Sequence, residues 1–522
     1  MRRKFEAAGS TFLLENVSSP DNPASLIRRK QDEQETDSHP FIQAQRQNVF
    51  LQQGAYAPQS ELNYLGKKNS FVQRQQEKTD TDNFGRRTVS ESSEEIGETV
   101  AQFEKQRIEE FTNEEIASAP ETMASMQQRI HAADQATGMK SAIVYLMVQS
   151  EEGADQGIDI VVIPGDPQYS PIHRFKPVDV SELQAQLTQL RRKIIQFSGG
   201  YEPLAQQLYI TMIKPVKETL SNINVNHLHL VLDQELQTIP IAVLSDGNDF
   251  LVQKFSLSVS PSFSLTETKP MNQENIETTA YGQSEFLKGR DIPAVVPEVN
   301  QINGVEDTEI PEENQFNLDN LENYLQEQGV AVDKEQASQI LHIATHGEAI
   351  GGDKSYLQTR EREINIQELR ERGLDFSAIE MVVLSGCEGL IDNASGLSQN
   401  LDEDREFGIG SVIWQQGAES VVGSLWQVSD EGTMVMMKVF YQILSEQKGL
   451  TRAQVLQEAQ LAMIEGRARI EKPYFVYEPK TLGEEVNSQV IKKLLPSNIP
   501  LQNQTFEEPS YWSAFELLGN AY

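Results

Sequence analysis

Cysteine is almost absent from this chain. Its 522 residues include a single cysteine, Cys387. One thiol cannot form a disulfide within the chain, and it cannot supply the thiolates of a four-cysteine zinc site. The side chain is therefore either a small buried hydrophobe or a reactive thiolate. We expect no disulfide framework, no metal site and no cofactor.

Long apolar runs are also lacking. No stretch approaches the roughly 18 apolar residues of a membrane span. The basic residues 1–4 are not followed by an apolar run of signal length. The sequence therefore predicts a soluble protein made in the cytoplasm, with no membrane span.

Positive charge is in short supply. Lys and Arg number 44 against 78 Asp and Glu, which gives a net charge of −34. Such a surface repels phosphate backbones and anionic lipid, so nucleic acid is not expected as a partner. The same charge attracts basic peptides.

Hydrophobic residues are scarce as well. They make up 38% of the chain, below the usual range of about 45–50%. The deficit is concentrated in residues 1–118, which are rich in Gln, Glu, Ser, Asn and Asp. Such a segment cannot bury enough surface to offset its ordering entropy, so we expect it to be disordered. Within it, residues 41–47 and 71–76 share an aromatic–aliphatic–Gln pattern, and they are either short docking motifs or ordinary Gln-rich tail.

Regular patterns begin after this tail and divide the remaining chain. Residues 119–265 predict a first α/β half that starts with a helix and a β-hairpin. A polar linker follows at 266–310. In residues 311–522 strands and helices alternate, which is typical of an α/β domain with a largely parallel sheet. The Pro- and Glu-rich residues 470–508 indicate an insertion in this second half.

Two apolar strands of the second half end in residues that can carry chemistry. The first runs into His346 and Gly347, and the second ends at Cys387. Because the carboxyl ends of parallel strands form the functional crevice of such a sheet, these residues are expected to meet there. They suit a Cys–His dyad, in which the imidazole takes the thiol proton and later protonates the leaving amine. The backbone N–H groups of Gly347 and Cys387 are placed to hold an oxyanion.

The other strand histidines receive structural interpretations. His342 lies inside the first of these strands, away from its functional end, and we interpret it as structural. His227 and His229 alternate along an earlier predicted strand with Leu228 between them. No third ligand is spaced nearby, so we interpret them as surface or edge residues rather than as metal ligands.

Around these strand ends the sequence resembles the CHAT domain, a bacterial family of caspase-like cysteine peptidases of clan CD that is related to separase. The resemblance spans residues 120–522, and its motifs are Leu232–Pro240, Leu251–Leu265, His342–Gly347, Leu384–Glu388, Gly417–Asp430 and Tyr511–Phe515. It implies a caspase-like, mostly parallel sheet flanked by helices and preceded by a smaller pseudo-protease half. It also implies that His346 and Cys387 are the dyad and that Gly347 and Cys387 form the oxyanion hole.

The resemblance further implies an acidic residue in the S1 pocket. Family members carry it after the strand that ends in Trp, and Asp430 stands at the matching position with Glu431 beside it. A carboxylate there would pair with a P1 Arg or Lys. The alternative is that Asp430 caps a helix that starts near Gly432. Glu388 either lines the same pocket or lies on the surface.

The sequence departs from the family at two places near the dyad. Gly386 stands where the family often has alanine. The loop at 389–405 is long and acidic, and in this class that loop can cover the cleft. We therefore expect a latent enzyme, opened by a partner, by a ligand, or by self-cleavage in a polar loop such as 266–310 or 389–405.

These features together predict a cysteine endopeptidase that cleaves protein or peptide substrates by a Cys–His dyad, with a basic P1 residue as the favoured specificity. Two alternatives stay open. One is a non-catalytic caspase-like scaffold that binds a partner. The other is an exported effector cargo whose N-terminal tail, residues 1–118, is a loading leader. An activating or loading partner would bind that tail.

Overall fold

The computed structural model describes residues 93–112, 120–150, 156–305, 307, 309–330, 338–348, 355–388, 408–480, 490–495 and 502–522. Of Val330, Cys387 and Glu388 it describes the backbone alone. Within these ranges no helix combines the length and the apolar character needed to cross a membrane.

The helices and strands follow the chain in mixed order. The helices are α1 (Ser93–Thr112), α2 (Met123–Thr137), α3 (Val180–Ile195), α4 (Glu202–Met212), α5 (Lys217–Asn222), α6 (Val295–Ile302), α7 (Leu318–Val330), α8 (Ile366–Arg372), α9 (Ile409–Gln415), α10 (Asp430–Glu446), α11 (Arg452–Ile464) and α12 (Pro509–Trp512). The strands are β1 (Ser141–Gln149), β2 (Gly157–Pro164), β3 (Ile172–Pro177), β4 (His227–Leu232), β5 (Ser256–Ser260), β6 (Ile276–Gly282), β7 (Ser338–Glu348), β8 (Tyr356–Gln358), β9 (Glu363–Asn365), β10 (Met381–Glu388), β11 (Ser420–Ser424), β12 (Ala468–Glu471), β13 (Tyr474–Tyr477), β14 (Ile491–Leu494), β15 (Gln504–Thr505) and β16 (Phe515–Gly519).

Most strands belong to one mixed sheet. In the described part of the chain, twelve strands pair in the order β3-β2-β1-β4-β5-β16-β11-β10-β7-β8-β9, with β6 also paired to β7. The central neighbours β1–β4, β4–β5, β5–β16, β10–β11, β7–β10 and β6–β7 are parallel. The strands of the two edges, and the pair β11–β16, are antiparallel. The predicted α/β fold with a mostly parallel central sheet flanked by helices is confirmed.

Strand β16 lies where the two parts of this sheet meet. It pairs in parallel with β5 through Leu518 and Val259. On its other side it pairs with β11 in antiparallel register, from Ser420 opposite Gly519 to Ser424 opposite Phe515. All five of its residues are buried. The strands of the first and second predicted halves therefore form one continuous sheet.

The ends of α2 show how local sequence sets the element boundaries. The helix expected at the start of the first half is found at Met123–Thr137. The Thr122 hydroxyl accepts a hydrogen bond from the Ser125 N–H and caps the first turn. Gly138 ends the helix at a φ of 78°, a left-handed conformation that glycine adopts without a steric penalty. The hairpin expected next is present as β1 and β2.

The structure corrects the expectation of disorder for part of residues 1–118. Residues Ser93–Thr112 form α1, and its buried apolar side chains Ile96, Val100, Phe103 and Phe111 follow a helical period. These side chains join the main hydrophobic core, which stabilises the helix. Residues 1–92 and 113–118, with the two candidate docking motifs, lie outside the described residues.

The stretch 266–310 is part of the fold and not a linker. It contains β6, which pairs with β7 from Ile276 opposite Ser338 to Gly282 opposite Ala344. It also contains α6, which packs against β6 and β7. The strand conformation of β6 depends on its pairing with β7, a segment distant in sequence. The polar composition of residues 266–310 does not reveal this pairing. In the predicted insertion, the described strands form a separate sheet in the order β14-β13-β12-β15.

The structure also corrects the interpretation of His227 and His229 as surface or edge residues. Both are buried, because β4 lies between β1 and β5 in the interior of the sheet. Three serines of β5 hydrogen-bond the two rings. His227 lies 3.0 Å from Ser256 Oγ and 3.2 Å from Ser258 Oγ, and His229 lies 2.7 Å from Ser258 Oγ and 2.8 Å from Ser260 Oγ. Burial lowers the pKa of His227 to about 3 and that of His229 well below its usual value, so both rings are neutral.

Candidate active site

The two strand ends singled out in the sequence are neighbours in the sheet. Strands β7 and β10 are parallel, with Ser385 opposite Ala344 and then Cys387 opposite Gly347. From 385 to 387 β10 advances by two residues, while from 344 to 347 β7 advances by three. This is a β-bulge in β7, and it includes His346. Bulges next to active sites change the direction of a side chain relative to the regular ladder.

Gly386 lies on β10 opposite this bulge. Its φ is +82°, in the left-handed region that residues with a side chain rarely adopt. A Cβ atom at this position would lie 3.1 Å from the backbone oxygen of Thr345. The backbone conformation and the close Thr345 carbonyl therefore explain why this chain has glycine at 386, where the family often has alanine.

The backbone of Cys387 lies directly beside the histidine strand. Its register partner is Gly347, the residue after His346. Gly347 also pairs with Leu357 of β8, so the two candidate oxyanion residues adjoin each other at the carboxyl ends of two parallel strands. The backbone of Glu388 pairs with Ser424 of β11. The loop at 389–405, expected to cover the cleft, lies outside the described residues.

The imidazole of His346 is half-buried and already has a hydrogen-bond partner. Its Nε2 lies 2.8 Å from the backbone oxygen of Arg290. Because a carbonyl oxygen can only accept, Nε2 carries a hydrogen in this arrangement. The ring of Phe286 lies against the imidazole, with 4.9 Å between the ring centroids and a 38° angle between the planes.

A small cavity opens below Gly386. Its wall combines apolar side chains of α6 and the preceding turn with residues of β10 and α10: Ile292, Ala294, Val295, Glu298, Ser385, Gly386, Asp430 and Thr433. Two of these residues carry carboxylates, Asp430 near the surface and Glu298 deeper. The cavity adjoins Gly386, the residue before Cys387, and its volume of about 10 Å³ is room for about one water molecule.

Asp430 is the first residue of α10 and not its cap. The cap is Ser429, whose hydroxyl accepts a hydrogen bond from the Gly432 N–H at 3.1 Å. The N-cap interpretation of Asp430 is therefore wrong, and its carboxylate is left to face the cavity. Burial raises the pKa of Asp430, and the nearby Arg290 charge opposes that rise. Glu431 also raises it but does not line the cavity.

A buried polar cluster lies behind the cavity. The Glu298 carboxylate accepts hydrogen bonds from the Ser385 hydroxyl and from His342 Nε2, the latter at 2.8 Å. His342 Nδ1 lies 3.0 Å from the hydroxyl of Tyr441. His342 is fully buried, in agreement with its structural interpretation. Since Ser385 and His342 lie on β10 and β7, Glu298 links both candidate catalytic strands to α6.

Sequence reasoning missed Glu298 and Arg290. Both lie in the stretch that was interpreted as a polar linker. One signal was present: Glu298 is an acidic residue within the apolar run Val295–Val299, where an ionisable side chain needs a polar partner. Nothing in the sequence indicates that Arg290 reaches the site, because its contacts come from distant segments.

Comparisons with known proteins give a family and several distant likenesses. Residues 202–520 match the family model of the CHAT domain. The chain is similar to a chain of the Saccharomyces cerevisiae separase–securin complex, with 9% identity and a TM-score of 0.40, over 65% of this chain and 29% of that chain. It is also similar to the Arg-specific cysteine proteinase gingipain R, with 12% identity and a TM-score of 0.33, over 65% of this chain and 74% of that one. This chain spans only a minor part of the separase chain, and no curated protein matches it.

Proposed function

Because the chain belongs to the CHAT domain family, we propose that it is a cysteine endopeptidase with Cys387 as the nucleophile and His346 as the base. One observation carries the proposal. The backbone of Cys387 is in register with Gly347, next to His346, at the carboxyl ends of adjacent parallel strands. The chain has no other cysteine that could serve.

The proposed reaction uses these residues in two steps. The Cys387 thiolate attacks the scissile carbonyl carbon, and a C–S bond forms while the oxyanion is held by backbone N–H groups of Gly347 and Cys387. His346 gives the proton it took from the thiol to the leaving amine as the C–N bond breaks. Water, with His346 again as the base, then hydrolyses the thioester and frees the thiol.

The carboxylates at the cavity below Gly386 favour a basic P1 residue, for which the cavity must widen when substrate binds. Asp430 retains 19% side-chain exposure at the cavity, and Glu298 lies behind it with 3%. A guanidinium or ammonium group is the natural partner of the partly exposed Asp430 carboxylate, whereas the Glu298 carboxylate is already bonded by Ser385 and His342. An arginine of the chain itself, Arg290, lies 3.6 Å from Asp430 through its side chain.

A peptide library and a thiol reagent test the proposal together. The wild type, Cys387→Ala, His346→Ala and Asp430→Asn are each incubated with peptides that vary at P1, and the matched control is His131→Ala, which removes a partly exposed histidine from α2. We expect cleavage after Arg or Lys by the wild type and by the control, and none by Cys387→Ala or His346→Ala. In Asp430→Asn the preference for a basic P1 should fall by about 10-fold or more, since charge-assisted pairs contribute about 1.5–3 kcal/mol.

A non-catalytic scaffold is the second candidate, and one observation favours it. His346 Nε2 donates to the Arg290 carbonyl, so in this arrangement that nitrogen cannot take up a proton. Alkylation of Cys387 by iodoacetamide separates the candidates, because the chain has one thiol and every label reports on it. If Cys387 reacts no faster than a free thiol and His346→Ala leaves the rate unchanged, the scaffold is correct.

A further inference from the structure

A surface loop lies over the candidate active site. We call residues 284–292, between β6 and α6, the Arg290 loop. At its base the Ile292 N–H donates to the Ser284 carbonyl at 2.9 Å. Inside it the Phe286 N–H donates to Asp291 Oδ1 at 3.1 Å. The loop is therefore folded back on itself and does not present an extended strand.

Arg290 contacts both side chains that the proposed reaction needs: its carbonyl contacts His346 and its guanidinium contacts Asp430. Its carbonyl oxygen accepts the hydrogen bond of His346 Nε2 at 2.8 Å. Its guanidinium Nη2 lies 3.6 Å from Asp430 Oδ2, at the cavity where a basic P1 side chain would bind. Phe286 adds a third contact by covering one face of the imidazole. A substrate that engages His346 and Asp430 must displace all three contacts.

Among the described residues, the loop is also fastened at Glu285, whose carbonyl accepts a hydrogen bond from the Gln283 side chain at 2.6 Å and whose carboxylate lies 4.0 Å from Arg360. The Leu287 N–H donates to the Arg360 carbonyl at 2.9 Å, and the Gln358 side chain donates to the Lys288 carbonyl at 2.9 Å. The side chain of Arg290 is 79% exposed, and Leu287 is 68% exposed. The following helix α6, in contrast, is anchored by buried valines. Within the loop, Ile292 and Phe286 pack in the apolar cluster beside α6, whereas residues 287–291 are exposed. Exposed segments with few buried contacts open at low free-energy cost, so residues 287–291 can lift while α6 stays in place.

We propose that the Arg290 loop is an internal blocker of the active site, an inference that rests on the proposed function. Arg290 holds the carboxylate that recognises a basic substrate side chain, and its carbonyl holds His346 in a form that cannot accept a proton at Nε2. The block is reversible, because it consists of a hydrogen bond, an ion pair and a ring contact that a substrate can replace. Substrates with a basic residue compete with Arg290 for Asp430.

The test compares Arg290→Ala with Arg174→Ala, a matched removal of an exposed arginine on β3, and with the conservative Arg290→Lys. The readout is the rate at which Cys387 is alkylated by a peptidyl chloromethyl ketone that ends in Arg, with a reagent that ends in Leu as reference. Loss of an ion pair of this exposure should raise the arginyl rate about three- to fivefold in Arg290→Ala. Arg174→Ala should equal the wild type, and Arg290→Lys should lie closer to the wild type than to Arg290→Ala.

The outcomes separate the blocker from the peptidase. If alkylation depends on His346 but Arg290→Ala and Arg174→Ala both react at the wild-type rate, the blocker is wrong and the proposed function stands. If Cys387 reacts like a free thiol in every variant and His346→Ala has no effect, the proposed function fails and the blocker fails with it. Thermal unfolding of each variant verifies that the exposed substitutions leave the fold intact.

Discussion

Gly386 shows at the scale of one residue why the two strand ends have the geometry they have. It follows Ser385, which is paired regularly with β7, and precedes Cys387, which is paired after the bulge. A left-handed φ at this point lets β10 pass the longer segment of β7 without a clash. The position of the candidate nucleophile therefore depends on a residue that has no side chain.

The substitution Gly386→Ala should lower the free energy of unfolding by about 1–2 kcal/mol, the usual cost of a left-handed conformation for a residue with a Cβ. The matched control is Gly449→Ala, where φ is +90° and no atom lies within 4 Å of the added Cβ. Because Thr345 must also shift in Gly386→Ala, we expect a larger loss there than in the control and slower alkylation of Cys387. Urea unfolding and the alkylation rate provide the two measurements. An equal loss of unfolding free energy in Gly386→Ala and Gly449→Ala would contradict a contact between the added Cβ and β7.

The candidate site could be predicted from the sequence only in part. His346, Gly347 and Cys387 were singled out because strand-end position and residue type together indicate chemistry. Arg290 and Glu298 were not, because their partners come from other segments and no spacing rule connects them. Local sequence shows which residues are of a type that can perform catalysis, while the tertiary structure determines which other residues contact them.

At the scale of elements, α1 is held by one buried carboxylate as well as by its apolar face. The Glu104 side chain accepts hydrogen bonds from the Tyr145 hydroxyl at 2.8 Å, from the Phe263 N–H at 2.9 Å and from the Ser264 N–H at 3.0 Å. The Ser262 hydroxyl is a further donor. These donors lie in β1 and in the turn after β5, so α1 covers backbone groups that would otherwise be buried without a partner.

We expect Glu104→Ala to lower the free energy of unfolding by about 3 kcal/mol, because buried donors left without an acceptor cost about 1–3 kcal/mol each and water compensates in part. The matched control is Glu98→Ala, which removes an exposed glutamate from the same helix and should change stability by less than about 0.5 kcal/mol. Thermal or urea unfolding of the full chain measures both. Similar small effects in the two variants would show that Glu104 does not fasten α1.

The elements that the sequence predicted are those with strong local patterns. The hairpin of β1 and β2 and the strands β7 and β10 are continuous apolar runs, which indicate buried strands. Helix α1 was missed because its regular apolar positions are surrounded by charged residues and were averaged into a long polar tail. Strand β6, Ile276–Gly282, was missed because its sequence is neither a continuous apolar run nor a strict apolar–polar alternation, and its pairing with β7 decides its conformation.

At the scale of the whole molecule, β16 pairs with β5 of the first half and with β11 of the second half. This strand carries a buried ionisable residue, Glu516. Glu516 is buried at 4% exposure and is paired through its backbone with Gly423 of β11. Burial raises the pKa of Glu516 to about 8, although the Ile241 backbone amide and Arg191 oppose the rise. The folded protein therefore holds a proton on Glu516 at neutral pH, where the unfolded chain does not.

This shift makes stability depend on pH with a definite sign. Below a pH of about 4.5 Glu516 is protonated in both states, and its contribution to stability is fully present. As the pH rises towards 8 the unfolded state loses its proton first, so the contribution is lost. Glu516→Gln should match the wild type near pH 4 and exceed it near pH 8, by up to roughly 5 kcal/mol.

Urea unfolding at several pH values measures this difference. The matched control is Glu508→Gln, which makes the same change at an exposed glutamate of the same C-terminal region. A constant difference between Glu516→Gln and the wild type from pH 4 to pH 8 would contradict a raised pKa at the join.

The place of β16 in the sheet has a consequence for how the protein is made. A ribosome releases β5 and β11 long before residues 515–519, yet these strands acquire their shared neighbour only when that segment emerges. Until then, the nascent chain exposes two unpaired strand edges in its interior, which are sites of aggregation and of binding by chaperones. The central sheet, on which the candidate active site is built, is therefore completed only after translation has passed residue 519.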